Sequence, residues 1–161
     1  MVETVGPKSL IAGVFTSAYG TAINKPREYG PGWSGFAERY GMRLTGIATS
    51  NLMEASLGTL RQEDPRYFRM PDQPFGARLR NVIRLTFYAR EPNGDYGPAF
   101  ARFIAIPASN FLSNTWRANS EADTEHALIR TAYGFGGRMA SNAFSEFWPD
   151  VKSRLFHRHH D

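Results

Sequence analysis

The chain has no cysteine, only three lysines among its 19 basic residues, and no apolar run long enough to span a bilayer. Without cysteine there is no disulfide framework, no thiol nucleophile and no thiolate metal site. The longest uncharged run, Ser9–Asn24, includes Ser, Thr, Tyr and Asn, and a spanning helix takes about 20 mostly apolar residues. Phe103–Trp116 is shorter and is interrupted by Pro107. A single-pass membrane protein is therefore not expected, while surface or partial insertion stays open. The start, Met1-Val2-Glu3-Thr4, is acidic and has neither the basic nor the apolar region of a secretory signal.

Histidine is scarce as well. Of the four, three lie in the tail His157-Arg158-His159-His160-Asp161, read as a polar terminus, and only His126 lies elsewhere. A Ser-His-Asp site would hang on that one residue, and no GxSxG is present. Asp123 and His126 have the i,i+3 spacing of bundle metal sites, but no other helix offers a matching histidine, so the acids there are read as helix-start charges. The glycine cluster Gly134-Phe135-Gly136-Gly137-Arg138 is neither GxGxxG nor a P-loop and falls mid-helix. Glu38 and Glu54 share one helix but lie about 24 Å apart at about 1.5 Å per residue, too far to share a bond. No catalytic residue, cofactor site or metal site is assigned.

What is abundant is arginine, glycine and phenylalanine. The 161 residues fit one domain, and 42% hydrophobic content with 12 phenylalanines suffices for a core. The 61–90 stretch carries seven arginines against Glu63, Asp64 and Asp72, so its balance equals the +4 of the whole chain. Arginine favours bidentate pairing with carboxylate or phosphate. Internal salt bridges account for such a stretch, and so would anionic lipid or a protein partner; Arg66, Arg69, Arg78, Arg80 and Arg84 are the candidate contacts. Nucleic acid is a weaker reading, because these arginines belong to no known nucleic-acid-binding pattern.

Periodicity predicts an all-α, single-domain bundle over 1–161, with helices at 7–24, 33–61, 75–90, 98–116 and 120–147 and a polar tail at 157–161. Pro7 suits a first helical position, and Ile11, Val14, Phe15 and Ala18 then repeat at helical spacing. Phe36, Tyr40, Leu44 and Ile47 form a stripe on the second helix, Phe75, Leu79, Val82 and Ile83 on the third, and Leu128, Ala132, Phe135, Met139 and Ala143 on the last. Asn119 or Ser120 is the expected cap of that last helix and Trp148-Pro149 its expected end. Asn93-Gly94 suits a short hairpin within 85–103. Small-residue seams (Ala12/Thr16/Gly20, Ala37/Gly41/Thr45/Ala48 and Ala132/Gly136/Ala140) predict close helix approach. Five of the seven tyrosines precede glycine, which suits either ring-on-backbone packing or a bilayer interface.

Arg39, Arg43, Asn51, Glu54, Asn110, Asn114, Arg138, Asn142 and Glu146 form a candidate buried polar set. Buried amides and charges require partners, so this set either fixes helix register or lines a ligand pocket.

Tyr29–Gly41 (YGPGWSGFAERYG), Gln62–Arg69 (QEDPRYFR), Asn110–Trp116 (NFLSNTW) and Glu146–Asp150 (EFWPD) together resemble an uncharacterised bacterial family with YGxGxxGFxxRYG followed by QDPRYFR. The resemblance covers roughly 29–151, with Glu63 departing from the usual Gln-Asp-Pro order. It implies an exported envelope protein and lends no activity. The reading that follows is a non-enzymatic envelope-associated helical protein with a structural or interaction role. The alternative is a small-ligand-binding bundle or enzyme that uses the Arg/Asn/Glu network.

Overall fold

Pro7 opens the first helix, and proline's preset φ and missing N–H cost nothing at that position. The computed structural model describes residues 7–156, with side chains described from 10 to 153; the expected polar tail lies outside the described residues. Helix α1 is Pro7–Ala22, α2 Gly32–Arg61, α3 Phe75–Phe87, α4 Phe100–Leu112 and α5 Thr124–Phe156. Short 3-10 turns stand at Arg27–Tyr29, Ser113–Thr115 and Asn119–Glu121. The fold is all-α apart from one two-stranded hairpin.

That hairpin pairs β1 (Tyr88–Arg90) antiparallel with β2 (Tyr96–Pro98) and so occupies the end of the expected third helix. Gly94 at φ 89 makes the turn, and the Asn93 side chain accepts the Asp95 N–H at 3.0 Å. Asp64 adds a single bridge to Arg90. Helix α2 stops one turn before Asp64-Pro65: Gln62 takes the left-handed conformation, and the Glu63 N–H reaches back to the Gly58 carbonyl at 2.9 Å.

The last helix differs most from expectation. Its first turn is capped by Asp123, whose carboxylate accepts the His126 N–H at 2.8 Å, rather than by Asn119 or Ser120. It then runs through Pro149 to Phe156. Proline there removes a ladder donor and crowds the preceding turn. The neighbouring Glu146 carbonyl accepts Arg69 Nε at 3.0 Å and an Arg78 amino group at 2.7 Å, which ties this turn to the connector and to α3.

Helix α2 packs on α1 and α4, and α5 packs on α3 and α4. Close approach occurs at Gly20 of the expected α1 seam, where a Cβ would stand 3.2 Å from the Arg39 side chain, and at glycines beside the seams. A Cβ on Gly13 would stand 2.8 Å from the Tyr40 ring, and one on Gly134 would stand 2.7 Å from Ile106. Gly41 and Gly136, assigned to seams in the sequence, have open space around them.

Which face turns inward also departs from expectation. Ile11, Val14 and Phe15 on α1, Phe75, Leu79 and Ile83 on α3, and Leu128 on α5 are exposed, with Phe15 at 70%. The inward faces are small or polar: Gly13 and Ser17 on α1, Arg39, Glu54 and Gly58 on α2, Arg102, Ala105 and Ser109 on α4, and Ala127, Asn142 and Glu146 on α5. Val82, Leu85 and Ile106 are the large aliphatic side chains fully inside.

Candidate functional site: a polar interior beneath an apolar surface

Three clusters of charge hold this interior together. The first surrounds Arg39, on the second turn of α2. Its guanidinium donates to the carbonyls of Lys25 at 2.9 Å, Pro26 at 2.8 Å and Gly30 at 2.8 Å. One side chain therefore ties the whole α1–α2 connection, and it lies against the Tyr29 ring as well. The Tyr29 hydroxyl accepts the Ala118 N–H at 3.2 Å, which joins this end of the bundle to the α4–α5 connection.

The second cluster is central. Glu54, 5% exposed, accepts Arg102 Nε at 2.9 Å on one oxygen and an Arg138 amino group on the other. Arg102, 2% exposed, also donates to the Leu85 and Thr86 carbonyls at 2.9 and 2.7 Å. Asn142 donates to the Thr86 hydroxyl at 3.2 Å. Helices α2, α3, α4 and α5 thus meet on polar atoms where most bundles meet on leucine.

The third cluster binds the 65–78 connector to α5. Glu146 accepts the Tyr67 hydroxyl at 2.7 Å, Arg78 Nε at 2.7 Å and the Met70 N–H at 3.3 Å. Arg69 and Arg78 reach Asp150 at 2.8 and 2.5 Å. The Arg78 hydrogen bond is the largest effect and, with the charge of Arg78 and the Arg69 contact, holds the Asp150 carboxyl below its ordinary value of 3.8 against an opposing desolvation that ranks second. Tyr67 is pushed up, chiefly by desolvation and then by its bond to Glu146.

The sequence-predicted residues divide clearly. Arg39, Glu54, Asn142, Arg138 and Glu146 lie in these clusters. Arg43 packs beside Gly13 and Tyr40, with its Nε buried and lacking a hydrogen-bond partner among the described residues. Asn114 donates to the Asp123 carbonyl at 3.1 Å and accepts from Arg130, an anchor for the start of α5 well away from Glu54. Asn110 joins that anchor through its carbonyl. Asn51 lines a cleft beside Glu54.

Of the five candidate contact arginines, Arg69 and Arg78 are spent internally on Glu146 and Asp150. Arg66 is exposed but clamps Asp64 at 2.6 Å, Arg84 lies over the Tyr96 ring at 4.2 Å, and Arg80 is exposed. Sequence reasoning missed Arg102 and Tyr67. A single charge inside the otherwise apolar helix FARFIAIPASNFL was the available signal for Arg102; Tyr67 had none.

The outer surface is the converse of this interior. Across Leu10–Asn24 on α1, Arg39–Leu60 on α2, Phe100–Leu112 on α4 and Ala127–Pro149 on α5, no charged side chain is exposed. Every charge in those stretches is buried or half-buried. The exposed positions instead carry Phe15, Tyr19, Leu52, Leu60, Ile104, Phe111, Leu128, Tyr133 at 75%, Phe144 and Trp148. Much of the exposed charge lies toward the helix ends, with Lys25, Arg27, Glu28, Glu38, Asp123 and Glu125 on one side and Arg61, Arg66, Arg90 and Asp95 on the other; α3 departs from this pattern, with Arg80 and Arg84 exposed along it. No helix among the described residues is long and apolar enough to cross a membrane. Among the described residues no group of three or more His, Cys, Asp or Glu could hold a metal. Compared with known proteins, the chain matches no family model, no curated protein and no solved structure.

Proposed function

We propose that this chain is a non-enzymatic, membrane-associated protein of the bacterial envelope with a structural or interaction role, seated in lipid as an assembled bundle. The observation that carries this reading is the inverted distribution: ion pairs inside, an uncharged apolar belt outside, and charged rims. Water-exposed surfaces of monomers rarely carry contiguous apolar patches beyond a few hundred Å². In lipid the rule reverses: charged groups face the bundle interior and pair with one another. The uncharged outer stretch of α2 is about 33 Å long, close to the about 30 Å of a bilayer's hydrocarbon. Small residues at helix contacts and aromatics near the rims, Trp33 and Tyr88 among them, fit the same solvent.

This reading reassigns the arginine-rich stretch. Arg69 and Arg78 brace the fold, which leaves the exposed Arg66, Arg80 and Arg84 for anionic headgroups or a protein partner. The family resemblance of the 29–151 segment supports the envelope assignment. Flotation with vesicles is the test. The protein is expected to float with zwitterionic as well as anionic lipid and to resist extraction at high salt, because the belt supplies most of the attachment. Sedimentation of folded protein without lipid would contradict the reading.

A further inference from the structure

A cleft of about 400 Å³ opens beside Glu54, walled by α2 (Asn51, Ala55), the connector (Asp64, Arg66) and α5 (Arg138, Ser141). It lies where the uncharged stretch of α2 gives way to the charged rim at Arg61. Most of the residues that line it carry a polar or charged group, and its charge is unbalanced. Glu54 is a single carboxylate between two guanidiniums, Arg102 and Arg138. The one other acid of the walls, Asp64, is already clamped by Arg66 through Nε at 3.0 Å and an amino group at 2.6 Å. One positive charge is left over at a place where burial makes unbalanced charge costly.

Arg138 is where that excess reaches the cleft. Its one hydrogen bond among the described residues runs from a single amino group to Glu54, and its side chain is 29% exposed. Ser141, three residues further along α5, lines the same cleft. Arg66, bonded to Asp64 through Nε and one amino group, has its other amino group left to donate from the opposite wall. Donors on two walls, from the connector (Arg66) and from α5 (Arg138, Ser141), suit a tetrahedral acceptor with oxygens in several directions better than a planar carboxylate.

We propose that this cleft binds a phosphate ester, with Arg138 as the principal charge partner and Arg66 and Ser141 as further donors. The same chemistry is offered by a free phosphomonoester and by the phosphate of an anionic lipid headgroup. The inference rests on the cleft and its charge, and it stands whether or not the belt contacts lipid.

The experiment uses the full chain purified in detergent. One arm titrates sn-glycerol 3-phosphate by calorimetry; the other measures retention of phosphatidylglycerol against phosphatidylcholine by native mass spectrometry. Two variants accompany the wild type: Arg138→Gln, which leaves the Glu54–Arg102 pair in place, and Ser141→Trp, which fills the cleft from a solvent-facing position. Arg27→Gln, exposed at the opposite end of the bundle and outside the cleft, is the control, and thermal unfolding confirms that each variant is folded. Saturable binding in either arm, weakened at least about tenfold by both cleft variants and unchanged by the control, supports the proposal. Binding in the first arm alone assigns a soluble ester, and binding in the second alone assigns a lipid. No saturable binding in either arm, or binding that either folded cleft variant leaves unchanged, overturns it.

Discussion

Glu146 on α5 receives Arg78 Nε from α3 at 2.7 Å while being itself completely shielded from solvent. With Tyr67 and Met70 on the same carboxylate, this contact fastens the proline-rich connector to the last helix. Removing one member of a buried ion pair leaves the other charge without compensation, at a cost of about 3–5 kcal/mol. Glu146→Ala is expected to lose that much in chemical denaturation. Tyr67→Phe, which deletes one neutral donor, is expected to lose about 1 kcal/mol.

Acid should release the same junction. The carboxyls of Asp150 and Asp64 lie below their ordinary value of 3.8, Asp150 first through the Arg78 hydrogen bond and Asp64 first through the Arg66 one. A carboxylate depressed in the folded state stabilises it above the unfolded value, and that contribution is lost as pH falls through the folded value. Stability measured from pH 7 downward is expected to hold through pH 5 and to fall below about pH 4. Asp150→Asn should flatten part of that fall and lower the plateau above it.

Glycine substitutions separate helix contact from helix propensity. Gly134→Ala places a methyl 2.7 Å from Ile106 and must push α4 from α5, so it is expected to destabilise. Gly136→Ala meets nothing within 4 Å and should stabilise by up to about 1 kcal/mol through backbone propensity. Thermal melts of the two variants, in opposite directions from wild type, check this.

Arg39 cannot be replaced by lysine without loss. Its planar fork serves three carbonyls of the 25–30 turn at once, and an ammonium cannot span them. Arg39→Lys is expected to cost about 3 kcal/mol, since charged hydrogen bonds are worth about 1.5–3 kcal/mol each. Protease cleavage in the 23–31 segment should rise in step.

The helices and their approximate limits were legible in the chain because Pro7, Lys25-Pro26, Gln62 through Pro65 and Asn93-Gly94 punctuate it in the way that turns require. Their orientation was not. Reading Phe15, Phe75 and Leu128 as core assumes water outside, and an amphipathic helix reads the same when its polar face is the inner one. The polar set on α2 and α5 was legible as residues needing partners. Its pairing with Arg102, Thr86 and Tyr67 was not, because those contacts join residues 48 to 79 positions apart. Pro149 misled for a related reason: the arginines bound to its turn come from elsewhere in the chain.

The central claim, that the uncharged belt lies in lipid, is tested most directly by depth-dependent quenching on a chain that offers no native thiol. Single cysteines at Phe15, Tyr133 and Asp95, labelled with an environment-sensitive fluorophore, are read in lipid nanodiscs. The account predicts that labels at Phe15 and Tyr133 are quenched by nitroxides on the acyl chains and protected from aqueous iodide, with the reverse at Asp95. Equal iodide quenching at all three sites, with the acyl-chain nitroxides without effect, would contradict it.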